Sequence, residues 1–383
     1  MKKTLLLFFY SALLLSYFFI NNDSHAQSGS STTSNITTNN KVSSYIMSES
    51  FSNILPIKQL VDDNWLQAPA TDSSIAFTQN EIGLRTTWHN FSFNIAHRFD
   101  YFVFTNSDTA QAYYLEQADQ PLTTQDSYKL SLKLHHQRSS GFRLGYQWLF
   151  DNFSAEVNVG YWDVSATRES QIHGEIYGED NNNITGIADL KEFYTDKNFL
   201  KHSNNNNWET NGYGVTLDLT FSWLINEKIS LNADIKDLYS EFKMKGLGFN
   251  QGTVDTDGTF INSLGGKSYL PLYQGIFGPT DYNFNLPERV NLLARYQGGY
   301  YSNDYISMSY IARYKRQGEV NFYYIGMELA FEQSTLKLML DLDHLSPEVQ
   351  YGNKWLNVIF AIDELDIDKA MQFTLGVAVN YSF

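Results

Sequence analysis

A set of charged residues at alternating positions suggests what chemistry this chain could do. Arg85, Arg98, Lys129, Lys133 and Arg143 come early, and Glu156, Asp218, Asp234, Glu328, Asp341 and Asp343 come later. If the segments that carry them are strands, each charge shares a face with polar neighbours and opposes an apolar set. In residues 128–134, Tyr128, Leu130, Leu132 and Leu134 oppose Lys129, Ser131 and Lys133; in residues 336–343, four leucines oppose Lys337, Met339, Asp341 and Asp343. Arranged around a lumen, these residues would make one wall lean basic and the other acidic. Facing charges of that kind orient dipolar solutes and tune ion selectivity. Glu81 and Asp100 interrupt the basic group, and Lys236, Arg295, Arg313 and Lys337 interrupt the acidic one, so the same residues could instead pair and close the lumen.

Catalytic arrangements find less support. His135 and His136 are adjacent on a strand and point to opposite faces, so they cannot grip one metal. Asp341 and Asp343 share a face, but two lumenal carboxylates are more often a solvated wall than an acid and base pair. No G-x-S-x-G elbow occurs. Gly265-Gly266-Lys267-Ser268 ends like a phosphate loop with Ile261 where a glycine belongs, and Asp255-Thr256-Asp257-Gly258 resembles half a calcium loop flanked by Thr253 and Leu264. We expect no enzyme activity, no cofactor and no metal; a weakly held surface cation at Asp255 and Asp257 stays open.

The elements that must position these charges are strands. Residues 371–383, MQFTLGVAVNYSF, alternate strictly: Met371, Phe373, Leu375, Val377, Val379, Tyr381 and Phe383 lie on one face, and Gln372, Thr374, Gly376, Ala378, Asn380 and Ser382 on the other. Similar segments recur from residue 78, giving about fourteen strands, with the terminal aromatics suited to a lipid–water belt. The expected strands include 127–136 and 142–150 joined by a turn at Ser139-Ser140-Gly141, and a weaker candidate at 184–194. Long connections fall at 105–126, 195–212 and 239–288. In this reading they lie on the same side as the termini, which is unusual for a membrane barrel.

Met1-Lys2-Lys3 followed by an apolar run from Leu5 to Ile20 reads as a secretory signal ending near Ala26. Residues 27–72 read as a polar, flexible lead-in, with a short helix hinted within 41–72 that could form a small plug or a periplasmic segment. The barrel is expected over 73–383. Cysteine is absent, which removes disulfides and thiolate metal sites, and a net charge of −15 argues against nucleic acid as a partner. A soluble two-sheet protein has the same alternation with its apolar faces inward, and parity alone does not separate the two. The Asn-rich tracts 181–183 and 204–207 favour turns and solvated loops, and Glu179, Asp180 and Asp189 could bind ions that bridge to lipopolysaccharide.

The signal ending Ser24-His25-Ala26, the repeated alternating strands and the closing Tyr381-Ser382-Phe383 together resemble a Gram-negative outer-membrane β-barrel. Residues 289–292 after Leu286-Pro287, and the hairpin after Trp223, look faintly similar to FadL-like transport barrels. The resemblance implies an all-β, transmembrane, antiparallel up-and-down barrel in the bacterial outer membrane, in contact with lipid and lipopolysaccharide. It also implies that Tyr381 and Phe383 signal to the barrel-assembly machinery. The expected function is passive passage of a small solute through a mixed-charge lumen. The alternative is a closed barrel whose long loops bind a partner.

Overall fold

The computed structural model describes residues 40–122, 127–178, 184–200, 210–256, 259–261, 267–269, 272–301 and 306–383. The signal sequence, the lead-in up to residue 39, both asparagine tracts, Glu179, Asp180, Asp257-Gly258 and Gly265-Gly266 lie outside the described residues.

The strands, in chain order, are β1 (Lys41–Ser52), β2 (Ile75–Trp88), β3 (Phe91–Thr105), β4 (Ser127–Leu149), β5 (Phe153–Gly178), β6 (Ile184–Tyr194), β7 (Asn211–Asn226), β8 (Ile229–Asp255), the short pair β9 (Thr259–Ile261) and β10 (Lys267–Tyr269), β11 (Tyr273–Phe284), β12 (Arg289–Tyr301), β13 (Ile306–Gln317), β14 (Val320–Ala330), β15 (Ser334–Asp341), β16 (Pro347–Asn353), β17 (Leu356–Ile362) and β18 (Gln372–Ser382). Helix α1 (Ile57–Asp62) follows β1, and α2 (Ser107–Gln117) follows β3, capped by the Asn106 side chain, which accepts from Thr109 N.

Every wall strand pairs antiparallel with its neighbour, and the ring closes where β1 pairs β18 from Lys41↔Ser382 to Phe51↔Gln372. The path around the ring runs β1 to β5, then β7, β8 and β12 to β18, which is fourteen strands. β6 shares a place in the wall with β7. Both run antiparallel to β5, with β6 against residues 168–178 and β7 against 153–163. β11 and β12 divide the flank of β8 in the same way, with a break at residues 285–288.

The expected total of fourteen holds, but its composition changes. Residues 127–149 are one strand with a register shift at Arg138/Ser139, so Ser139-Ser140-Gly141 is not a turn. Two further wall strands, β1 and β16, complete the count. The barrel therefore begins at Lys41, and part of the expected lead-in is wall; the helix expected within 41–72 is α1. Adding β1 also reverses the sidedness of the loops. The short turns after β2, β4, β7, β14 and β16 now lie at the end that holds Lys41 and Phe383, and the long connections lie at the other. We call these the terminal end and the loop end.

Candidate lumenal site

The barrel is apolar outside and polar within. On β18, Val379 and Tyr381 are about half exposed, while Gln372, Thr374 and Asn380 on the opposite face are buried. Leu84, Ile95, Leu144, Val159, Ile325 and Leu338 are exposed on the outer face, whereas Arg98, Asp100, Asp237 and Asp341 are buried to 2% exposure or less. A soluble two-sheet protein requires the reverse, because burying charge and wetting aliphatic surface both cost free energy in water. In a bilayer the same arrangement is favourable. The chain is an outer-membrane-type β-barrel.

Exposed Trp88, Phe91, Trp148, Phe150, Trp355, Tyr381 and Phe383 cluster at the terminal end, where such rings sit at the headgroup level. Tyr381 and Phe383 stack at 6.3 Å, and Phe383 N donates to Asn40 O, so the terminal aromatic is fixed beside the start of β1.

Within this barrel the lumenal charges mate instead of standing on opposed walls. Arg98 is enclosed: its Nη1 and Nη2 donate to the two carboxylate oxygens of Asp237 at 2.9 Å, and its Nε donates to Asp100 at 2.8 Å. Arg289 adds a second guanidinium to Asp237 at 2.8 Å. Arg143 donates two bonds to Glu81, at 2.8 and 3.0 Å, and its Nε lies 3.1 Å from Asp218. Bidentate geometry of this kind is what allows buried guanidinium–carboxylate pairs to offset their desolvation. Both arginines flank the ring of Trp162, with guanidinium carbons 5.3 and 4.7 Å from its centroid; the ring is fully buried and its Nε1 donates to Thr216. Gly141 and Gly160 leave the space for it: a Cβ on either would stand within 2.9 Å of Trp162 atoms.

Asp237 is missed by parity reasoning because it sits in a bulge. Between Leu217↔Tyr239 and Leu219↔Ile235 the β8 partner advances four residues against two on β7, and Asp237 takes a left-handed φ of 55°. Its backbone N donates to Asp218 at 2.8 Å, and its carboxylate turns to Arg98.

On the opposite side of the ring, Arg313 donates both Nη groups to Glu348 at 2.6 and 2.5 Å and lies 3.9 Å from the Tyr324 centroid. Lys315 lies 2.5 Å from Glu49, and Gln317 donates to the same carboxylate at 3.1 Å. β13 and β1 are six strand steps apart along the shorter arc of the wall, about 29 Å at ordinary spacing, so these contacts cross the lumen. An aromatic layer crosses it too: Phe51 of β1 meets Phe322 of β14 at 5.3 Å, and Phe77 and Phe102 join the cluster.

The other expected lumenal residues are placed as follows. Arg85 pairs with Glu156 at 2.5 Å, and Ser92 donates to the same carboxylate. Glu328 accepts from Arg295 at 3.0 Å with Lys337 at 3.5 Å, and Asp234 accepts from Thr220. Lys129 is exposed towards the loop end, and Lys133 lines a cavity there. Asp341 is fully buried, whereas Asp343 lies exposed in the turn after β15. The two carboxylates therefore do not form one lumenal wall, because β15 ends at Asp341. His344 Nδ1 lies 3.0 Å from Asp341, and its ring sits 4.7 Å from Phe51. The hydrogen bond to the Asp341 carboxylate, together with the negative charge around it, raises the pKa of His344 above the ordinary histidine value. His135 and His136 do point apart, His135 towards Phe284 and Phe102 and His136 towards Phe99.

Two cavities remain. At the loop end a cavity of about 720 Å³ is lined by the rings of Phe102, Phe104, Tyr282 and Phe284 and by a larger set of polar and charged side chains, Lys133, Glu169, Glu241, Glu288, Arg316 and Glu319 among them. A chamber of about 410 Å³ lies between β1, β2, β8, β12, β13 and β16 to β18, with Glu49, Glu81, Arg289, Arg313 and Lys315 on its wall. Phe102, on the first cavity, and Glu49, on the second, both belong to the layers that cross the lumen.

No family model matches this sequence, and no curated protein matches it. Solved structures with a similar chain trace include the Ralstonia pickettii toluene transporter TbuX, at 10% identity and TM-score 0.42, covering 91% of this chain and 90% of that one. A Pseudomonas aeruginosa FadL homologue matches at 9% identity and TM-score 0.40, covering 90% of each chain. The translocator domain of autotransporter NalP from Neisseria meningitidis matches at 8% identity and TM-score 0.34, covering 90% of this chain and 89% of that one. Likeness this distant carries no argument about cargo. The barrel class rests on the strand register and on the inverted surface.

Proposed function

We propose that the protein is a bacterial outer-membrane transport barrel that passes a small, largely apolar solute and does no chemistry of its own. The observation that supports this reading is the cavity of about 720 Å³ at the loop end, a size suited to a small ligand, where the rings of Phe102, Phe104, Tyr282 and Phe284 offer apolar contacts within a rim of polar and charged side chains. Beyond it, the paired charges and the ring layer form a barrier that excludes free ion flow, so the mixed-charge lumen acts as a lock and not as a selectivity filter. Under this reading Tyr381 and Phe383 are the segment the assembly machinery engages, and the exposed outer face meets lipid and lipopolysaccharide.

The test is reconstitution of the refolded chain in liposomes, with uptake of toluene measured beside ionic conductance. Saturable toluene entry with little conductance is the expected result, reduced by Phe284→Ala. A second reading, a closed barrel whose loop end binds a partner, is favoured by the bonds that span the lumen from β13 to β1. A folded barrel that passes neither toluene nor ions would overturn the transport reading in favour of that one.

A further inference from the structure

On the low side of the barrel the outer apolar band is taller than the strands that should carry it. Trp355, in the terminal-end girdle, directly precedes β17, and β16 and β17 have seven residues each. At about 3.3 Å per residue and a tilt of about 40°, such a strand rises roughly 18 Å, whereas the apolar band of an outer-membrane barrel is about 25 Å tall. The opposite wall covers that height with strand alone. Val159 and Tyr161 on β5 point outward about half exposed, and polar Asp163 and Ser165 take over the same face roughly 25 Å above Phe153.

Around β15 to β18 and β1 the missing height falls to three consecutive loop-end connections, residues 342–346, 363–371 and 53–74. Leu345 is 69% exposed in the first, Leu365 93% and Ile367 58% in the second, and Val61 56% and Leu66 72% in the third, against 39% for Leu338 and Leu340 on the strand face below. Apolar surface gathered in this way marks an interaction. The connections are also tied in place. Asp363 accepts from the backbone N of Met371 and of Gln372, at 3.1 and 3.0 Å, Ile57 N donates to Ala370 O at 2.9 Å, and Lys58 pairs with Asp368, which joins the second connection to the third. Leu345 takes a left-handed φ of 52°, unfavourable for a bulky side chain, and the same turn aims His344 inward to Asp341. The turn therefore holds its apolar side chain out and its ionisable one in.

We propose that these connections dip into the leaflet at the loop end, so that Val61, Leu66, Leu345, Leu365 and Ile367 meet acyl chains and complete the apolar band where the strands stop short. The occupant is lipid because the surface continues a lipid-facing one: Leu338, Leu340 and Leu342 form the outward stripe of β15, and that stripe leads into the turn that holds Leu345. Exposed Glu364, Asp366 and Asp368 interleave with Leu365 and Ile367, a pattern suited to the boundary where acyl chains give way to headgroups. The inference rests on the barrel class and not on transport.

The chain has no cysteine, so one introduced thiol labels one place. Leu345→Cys, Leu365→Cys and, as the comparison, Ile187→Cys on β6, which pairs with β5 over residues 168–178, beyond Asp163, are each coupled to a nitrobenzoxadiazole dye and refolded in phosphatidylcholine vesicles. Quenching by lipids brominated on the acyl chain should be severalfold stronger at 345 and 365 than at 187, and quenching by aqueous iodide should run the other way. A second readout needs no dye. Leu365→Ser combined with Ile367→Ser should raise the ratio of refolding yield in twelve-carbon lipid to that in sixteen-carbon lipid by about twofold or more, because a shortened band matches the thinner bilayer. Iodide quenching as strong at 345 and 365 as at 187, or an unchanged yield ratio, would overturn the proposal and leave the connections in water. Labels at 345 and 365 shielded from both quenchers, with energy transfer between donor-labelled and acceptor-labelled chains, would overturn it in favour of a second copy covering the same face.

Discussion

The two sides of the lumen use one device for different ends. Around Trp162, Arg98 and Arg143 stack on an aromatic ring and clamp carboxylates, and nearly every partner is less than 10% exposed. Across the ring, Arg313 over Tyr324 repeats the motif with Glu348. There, however, the neighbouring bridge is a lysine and a glutamine, Lys315 and Gln317, reaching from β13 to Glu49 of β1. The Trp162 side belongs to the tall wall, where β4, β5 and β8 run for 23, 26 and 27 residues. The Lys315 side belongs to the short wall, where β15, β16 and β17 have 8, 7 and 7. A long, multiply paired wall with buried bidentate arginines suits permanent structure. A short wall joined across the lumen by a flexible ammonium suits a contact that can open.

The comparison is broken most directly at Arg98. Arg98→Ala removes the cation from Asp100 and leaves Asp237 with Arg289 alone, in a site closed to solvent, and should cost about 3–5 kcal/mol. Urea unfolding of the barrel in lipid vesicles should read this as a large drop in midpoint; a midpoint near that of the unchanged chain would show the tall-wall network to be dispensable. Gly141→Ala should be next, because its Cβ would meet Tyr161 O at 2.2 Å and the Trp162 ring at 2.7 Å. Its expected cost is about 1–3 kcal/mol of overpacking, read by the same unfolding curve. Lys315→Ala sharpens the contrast from the other side: it leaves the buried Glu49 with Gln317 as its remaining partner among the described residues, at a cost of about 1–3 kcal/mol, and should raise single-channel conductance, since the charged tie across the lumen is gone. A barrel as silent as before would make that tie irrelevant to gating.

The smallest effect concerns pH. The hydrogen bond to Asp341 raises the folded-state pKa of His344 above its unfolded value near 6.5. The stabilisation is therefore complete below the unfolded pKa and is lost as pH rises through the folded one. The chain should lose a little stability as pH climbs above the unfolded histidine value of about 6.5, and His344→Gln should flatten that slope in melting curves taken across the range. Asp343→Asn, which removes a smaller charge contribution to the same shift, should shallow the slope less than His344→Gln does.

How much of this was readable from the residues varies with the element. β18 keeps every large apolar side chain on one face, opposite small and polar residues, and that apolar face is the outward one. β1 was missed because KVSSYIMSES puts Ser44 and Ser48 on the outer face beside Val42 and Ile46, which weakens the period. Its pairing with both β18 and β2 makes it a strand regardless. β11 was hidden by Gly275, Gly278 and Pro279. β16 is a seven-residue strand separated from β17 by only two residues, too short to tell apart by pattern.

The charges were correctly assigned to one face, but their pairing was not legible. Arg98 and Asp237 are 139 positions apart, and Lys315 and Glu49 meet only because the ring closes. Trp162 carried no signal beyond an aromatic on a strand. Only the two glycines placed against it in the fold show that the space was kept for it.

The closing register of β1 on β18 has a consequence for the order of events during biogenesis. Eleven residue pairs join strands at opposite ends of the sequence, beginning with Lys41 and Ser382. No local contact can substitute for that pairing, so β1 waits with one edge bare until the last strand has been delivered. Such an edge recruits other chains readily, and closure over so long a separation is slow. The seam is therefore where this barrel is most exposed to misassembly. A chain interrupted anywhere before β18 would present two sticky edges and no barrel.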